Sequence, residues 1–171
     1  LYKKCKSNLN KIITELGFKL IGYRSVPTDD TVPGSGALEV MPNIEQVFVA
    51  HKDNLSGIDL ERKLYILRNY STRITIPGVN SAFYFASFSS QTVIYKGQLR
   101  TDQVLTFYKD LQNNKLKSAI ALVHSRFSTN TFPNWRLAQP FRFLSHNGEI
   151  NTIRGNLNKM RSKETLMKSI H

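Results

Sequence analysis

From position 124 to position 156 the chain reads HSRFSTNTFPNWRLAQPFRFLSHNGEINTIRGN. Two His, one Glu, several Arg and eleven Ser, Thr or Asn stand there among aromatics and two Pro. The stretch is too polar for a core and too dense in hydrogen-bond donors for an ordinary connection, so it reads as a site. The guanidinium of Arg126 can hold a carboxylate through two parallel hydrogen bonds. The side-chain amide of Asn147 and the backbone N–H of Gly148 can converge on an oxygen that turns negative in acyl transfer, and a glycine lets a ligand approach the backbone closely. Taken alone, Asn147-Gly148 is equally a tight hairpin turn, and Arg126 equally a solvated or salt-bridged charge at a strand end.

Other chemistries fit the stretch less well. Ser125 or Ser145 beside His124 or His146 suggests a serine hydrolase, but neighbours along a strand point to opposite faces and cannot hydrogen-bond as nucleophile and base. His124, His146 and Glu149 match no standard ligand spacing and have no cysteine nearby, so no metal site is expected. The two histidines read instead as structural, holding strand ends through backbone hydrogen bonds. Cys5 is the single cysteine. It shares the spacing of an apolar helix face with Leu9, Ile12 and Leu16, which makes it a core residue rather than a nucleophile.

The site needs elements to hold it. The run Ala119–Val123 predicts a short buried strand delivering His124–Arg126, and Phe141–Leu144 predicts a second one ending in Ser145-His146-Asn147-Gly148. Between them, Ser128–Pro140 reads as a long functional loop. Upstream, Cys5, Leu9, Ile12, Ile13 and Leu16 predict an amphipathic helix starting almost at residue 1 and capped at Gly17. Phe18–Tyr23 predicts a strand, residues 26–42 a surface connection, and Val47–Ala50 a short buried strand. Leu60, Leu64 and Leu67 mark a second helix with Asp59 and Glu61 in its first turn. Ser71–Ile76 has the β-branched, alternating look of a strand, broken at Pro77-Gly78. Ala82–Phe88 and Thr92–Tyr95 predict a hairpin, and Val104, Phe107, Tyr108 and Leu111 a third helix. Helices interleaved with short hairpin connections predict an α+β fold rather than a doubly wound sheet.

HSRFSTNTFPNWRLAQPFRFLSHNGEINT resembles the glutaminase (class II glutamine amidotransferase) domain of the glutamate synthase large chain. Gly22–Pro27 (GYRSVP), Pro42–Gln46 (PNIEQ) and Phe88–Gly97 (FSSQTVIYKG) are similar to that family in the same order. The resemblance implies an αββα sandwich of the N-terminal-nucleophile hydrolase type. It implies that Arg126 binds the α-carboxylate of L-glutamine with Thr129 lining the same pocket, and that Asn147 and Gly148 form the oxyanion hole. The family's nucleophile is an N-terminal cysteine, whereas this chain starts at Leu1, and an acidic residue that holds the substrate's amino group would fall beyond His171. Residues 1–171 are therefore expected to be an internal portion of one amidotransferase domain, without the nucleophile segment and the C-terminal end. Such a piece alone should release no ammonia. The FMN and iron–sulfur cluster that the resemblance implies for the parent enzyme belong to later domains, so no cofactor is expected here. The expected partners are L-glutamine and the remaining domains of that enzyme.

Composition sets the limits. A chain of 171 residues, 40% hydrophobic and 21% charged, is one globular domain's worth. It holds neither an apolar run long enough to cross a membrane nor a secretory signal. The expected location is the cytoplasm, or the plastid stroma in a eukaryote. The net charge of +12 divides as +5 in residues 1–24, +4 in residues 151–171 and +3 between them. A phosphate-binding surface needs its cations on one face, so this split argues for weak, salt-labile binding rather than a specific nucleic-acid partner. An inactive amidotransferase-like binding module is the other alternative.

Overall fold

The computed structural model describes residues 1–74, 83–127, 132–141, 144 and 153–167. Helix α1 spans Tyr2–Glu15 and buries Cys5, Leu9, Ile12 and Ile13, the face its spacing predicts. Gly17 ends it at φ 80°, a left-handed backbone that suits glycine. Its N–H donates to the Thr14 carbonyl at 3.1 Å, and its own carbonyl accepts from the Lys52 N–H at 3.0 Å.

Strand β1 (Phe18–Ser25) pairs antiparallel with β2 (Glu45–His51). The register runs Leu20 opposite Val49 and then Gly22 opposite Phe48, which leaves Ile21 as a one-residue bulge. That bulge is why Tyr23 can share a face with Phe18 and Leu20, against a strict period of two. Tyr23 lies opposite Val47, and both pack toward the helices. Helix α3 (Gly57–Ile74) covers the same face, so that Leu9, Ile12, Ile13, Phe18, Leu64 and Leu67 form one core. Burying each such side chain contributes roughly 1.5–3 kcal/mol.

The strand expected at Ser71–Ile76 does not form over its described residues, 71–74. Residues 71–74 are instead the last turn of α3, and Ser71 is buried there. The helix tolerates this β-branched, hydroxyl-rich turn because Thr72 Oγ1 donates back to the Arg68 carbonyl at 2.7 Å. The expected hairpin at 82–95 carries no ladder over its described residues. Serine side chains take its polar groups instead: Ser87 Oγ accepts from the Ile94 N–H at 3.1 Å, while Ser89 Oγ and Ser90 N–H donate to Glu61 at 2.9 and 2.8 Å. Phe83, Phe85 and Phe88 then stack on the α1/α3 core.

A second core lies around Phe107, Tyr108, Trp135 and Val26. The expected surface connection after β1 contributes to it, because it folds into helix α2 (Ser35–Glu39) and packs Val32, Ala37 and Met41 inward. The third predicted helix is split into α4 (Thr101–Phe107) and a single 3₁₀ turn at Lys109–Gln112. The break falls at Tyr108, where the Asp29 N–H donates to the Phe107 carbonyl and the Lys109 N–H to the Pro27 carbonyl. Arg24 of β1 reaches across to this turn, with Nη1 2.8 Å from Asp110 Oδ2. The guanidinium holds the Asp110 carboxyl below its ordinary range.

The described elements are thus helices and one small antiparallel sheet, an α+β arrangement. The run Ala119–Val123 is not the buried strand its composition predicts. It carries no ladder, and Ile120 and Val123 are 77% and 72% exposed. A strand is buried only where neighbours supply ladder bonds and an apolar layer, and among the described residues nothing supplies them at 119–123. A final helix, α5 (Ile153–Glu164), leaves Ile153, Leu157 and Met160 exposed.

Candidate functional site

Of the four candidate site residues, Arg126 lies within the described structure, while Thr129, Asn147 and Gly148 lie outside the described residues, as do His146 and Glu149. Arg126 is exposed. Its N–H donates to Nδ1 of His124 at 3.1 Å, so this histidine has the backbone-holding role expected of it.

Ser125 and Phe127, the neighbours of Arg126, line an open cavity of about 570 Å³ together with Val32, Gln98, Gln103 and Pro133. Arg126 is not in its wall. Gln103 braces its rim, with Nε2 donating to the Val32 carbonyl at 2.6 Å and Oε1 accepting from the Arg100 N–H at 2.9 Å.

The stretch expected to be a long loop is anchored where it is described. Asn134 opens a turn in which its carbonyl accepts from the Leu137 and Ala138 N–H groups, both at 3.1 Å. Trp135 is buried in the second core and Ala138 is also buried. Trp135 Nε1 donates to the Ala37 carbonyl at 2.8 Å, and Gln98 Nε2 donates to the Pro133 carbonyl at 2.9 Å. Lys96 Nζ donates to the Arg136 carbonyl at 2.8 Å. An irregular stretch can be held this firmly because its carbonyls find side-chain donors, as buried backbone must.

Lys96 and Gln98 are contributors that sequence reasoning passed over. Lys96 is 8% exposed, and its Nζ lies 4.4 Å from the Phe141 ring centroid and 5.8 Å from that of Tyr84. Burial, and then the nearby Arg136 charge, lower its pKa to about 8. The signal available in the sequence was a lone cation inside the apolar run Val93-Ile94-Tyr95-Lys96-Gly97, which is the pattern of a buried amine that has found acceptors.

Cys5 sits on the buried face of α1, 6% exposed, among residues of the first core. Among the described residues no three His, Cys, Asp or Glu gather to hold a metal ion, and no helix is long and apolar enough to cross a membrane.

The family model of the class-II glutamine amidotransferases matches residues 1–171. The chain is 49% identical over 170 residues to the chloroplastic ferredoxin-dependent glutamate synthase of Spinacia oleracea, covering 99% of this chain and 10% of that protein. It is 48% identical over 164 residues to the glutamate synthase [NADPH] large chain of Bacillus subtilis (strain 168), covering 95% and 11%. To the glutamate synthase [NADH] of Saccharomyces cerevisiae it is 43% identical over 171 residues, covering 97% and 8%. The chain thus spans about a tenth of the length of these relatives.

Proposed function

The chain belongs to the class-II glutamine amidotransferases, and from that premise we propose that it is part of the glutaminase unit of a glutamate synthase, releasing ammonia from L-glutamine for transfer to 2-oxoglutarate. The observation that carries this reading is the family match over the whole chain, which includes both HSRFST and SHNGEIN. The similarity to glutamate synthases with three different electron donors in their names supports the glutamate synthase assignment, without choosing among the donors.

In this reading the fold is the αββα sandwich of the N-terminal-nucleophile hydrolases, with residues 1–171 an internal portion of the domain. A thiolate attacks the side-chain carboxamide carbon of glutamine, and the carbonyl oxygen takes up the negative charge. Asn147 and Gly148 donate hydrogen bonds to that oxygen, where they count most in the tetrahedral state. Collapse of that state breaks the C–N bond; the nitrogen takes a proton and leaves as ammonia. Water then hydrolyses the thioester and restores the thiol. Arg126 grips the α-carboxylate and Thr129 lines the same pocket. The thiolate is not that of Cys5, which is buried among Leu9, Ile12 and Ile13 of α1.

The iron–sulfur cluster of a glutamate synthase does not fit these residues. A cluster needs several thiolates, and this chain has one cysteine, turned into the core. The cluster and the FMN are proposed for other parts of the protein, and no step of amide cleavage runs through them. The chloroplastic Spinacia relative is compatible with a plastid stroma location, and the cytoplasm is the alternative.

The test is to follow the amide nitrogen of ¹⁵N-labelled L-glutamine in the intact protein with 2-oxoglutarate and reductant supplied. Label appearing in the newly formed glutamate supports the reading. Turnover of free ammonia only, with glutamine ignored, would exclude it.

A further inference from the structure

We propose that Lys96 is a positioning residue for glutamine cleavage, clamping residues 133–141, the stretch that lies in the chain between Arg126 and the oxyanion donors Asn147 and Gly148. The proposal rests on the site assignment given under Proposed function.

Side-chain hydrogen bonds tie residues 132–141 to the rest of the fold at three points. Gln98 takes the carbonyl of Pro133, Lys96 takes that of Arg136, and Trp135 returns the tie by donating to the carbonyl of Ala37. Lys96 is the innermost of these contacts and the one buried cation among the described residues. Its ammonium faces the Phe141 ring at 4.4 Å, so it holds both the turn and the residue where the next predicted strand begins. Its own backbone carbonyl accepts from the Tyr108 hydroxyl at 2.7 Å, which fixes the clamp to the second core. From Phe141 only six steps of chain lead to Asn147, and in the other direction fifteen lead to Arg126.

Among the described residues no carboxylate lies within ion-pair distance of Lys96, although Arg136 is close by. A buried ammonium whose partners among the described residues are a carbonyl and aromatic faces is expensive, and methionine would fill the same space without that cost. What methionine cannot do is donate to the Arg136 carbonyl. The amine is also poorly placed to act on substrate itself, because it is buried and already committed to that carbonyl. Its contribution is geometric, and a misplacement of about 1 Å at reacting groups costs up to roughly 10²-fold in rate.

The experiment uses the intact protein with Lys96→Met, Lys96→Arg and, as a control on the site assignment, Asn147→Ala. The readouts are kcat and KM for glutamine hydrolysis, together with hydrogen exchange of the backbone. For Lys96→Met we expect kcat to fall roughly 10- to 100-fold with KM changed less than about threefold. Exchange should quicken in residues 133–141 while α1 and α3 keep their protection. Lys96→Arg, which can still donate to the carbonyl, should recover most of the loss. Unchanged kcat in Lys96→Met beside a slowed Asn147→Ala overturns the clamp alone. Silence of both variants overturns the site assignment and the clamp with it. If the loss in Lys96→Met comes with exchange rising throughout the protein, Lys96 is merely structural. Should Lys96→Met fail to fold, Gln98→Met removes the neighbouring tie and should lower kcat severalfold at constant KM; no change there also overturns the proposal.

Discussion

The indole of Trp135 lies hard against Gly97: a Cβ built on that glycine would collide with Cζ3 and stand 2.6 Å from Cε3 of the ring. Glycine is required here by close approach and not by backbone angle. Gly97→Ala should therefore displace Trp135 from its place against Phe107 and cost about 1–3 kcal/mol, the usual range for overpacking. Hydrogen exchange at the Ala37 carbonyl's neighbours and in residues 133–138 reads the change, and protection equal to that of the parent would place Trp135 elsewhere.

Asn147→Ala in the intact protein should leave glutamine binding nearly unchanged and reduce turnover by roughly 10² to 10³, the effect of losing one oxyanion donor. Steady-state kinetics decide the matter. A raised KM with kcat intact would make Asn147 a ground-state contact.

Arg126→Lys should weaken glutamine and erode discrimination against analogues without an α-carboxylate, since an ammonium offers a point charge in place of two parallel bonds. The measurement is kcat/KM for glutamine against such an analogue. An unchanged ratio moves the carboxylate grip to another residue.

Cys5→Ala should leave the rate of glutamine hydrolysis by the intact protein within about twofold, and lower stability by about 1 kcal/mol through the small cavity it opens beside Leu9. Loss of activity at undiminished stability would return Cys5 to the list of nucleophiles.

The Lys96 amine titrates at about 8 in the folded state against 10.5 for its ordinary value. Between those values the unfolded chain binds more protons, so this group's contribution to stability rises with pH through that window and is least favourable below it. Lys96→Met removes the dependence. Its stability relative to the parent should therefore be highest near neutrality and decline toward pH 10, by ~3 kcal/mol at most. Arg136, Tyr84 and Tyr108, the two tyrosines raised above their ordinary value by burial, are present in both proteins and cancel in the difference. Denaturant melts at a series of pH values test this, and a difference that does not vary with pH would contradict it.

Much of this protein is written in local sequence. The apolar spacing of Cys5, Leu9, Ile12 and Ile13 determined α1 and its buried face, Gly17 determined its end, and the pairing of Leu20 with Val49 follows from two short apolar runs. The residue types of Arg126, Thr129, Asn147 and Gly148 carry the chemistry proposed for the chain. The reading of α1 succeeds because period and capping belong to a single segment. Tertiary contacts decided the rest. Ser71 and Thr72 look like strand but close a helix, because Leu64 and Leu67 beneath them are already committed to the core. Ala119–Val123 looks like a buried strand but stands exposed, because an apolar run is buried only by partners that its own residues cannot specify. Lys96, Gln98 and Trp135 meet carbonyls 40, 35 and 98 positions away, and no local pattern encodes a bond between a lysine and a carbonyl that distant.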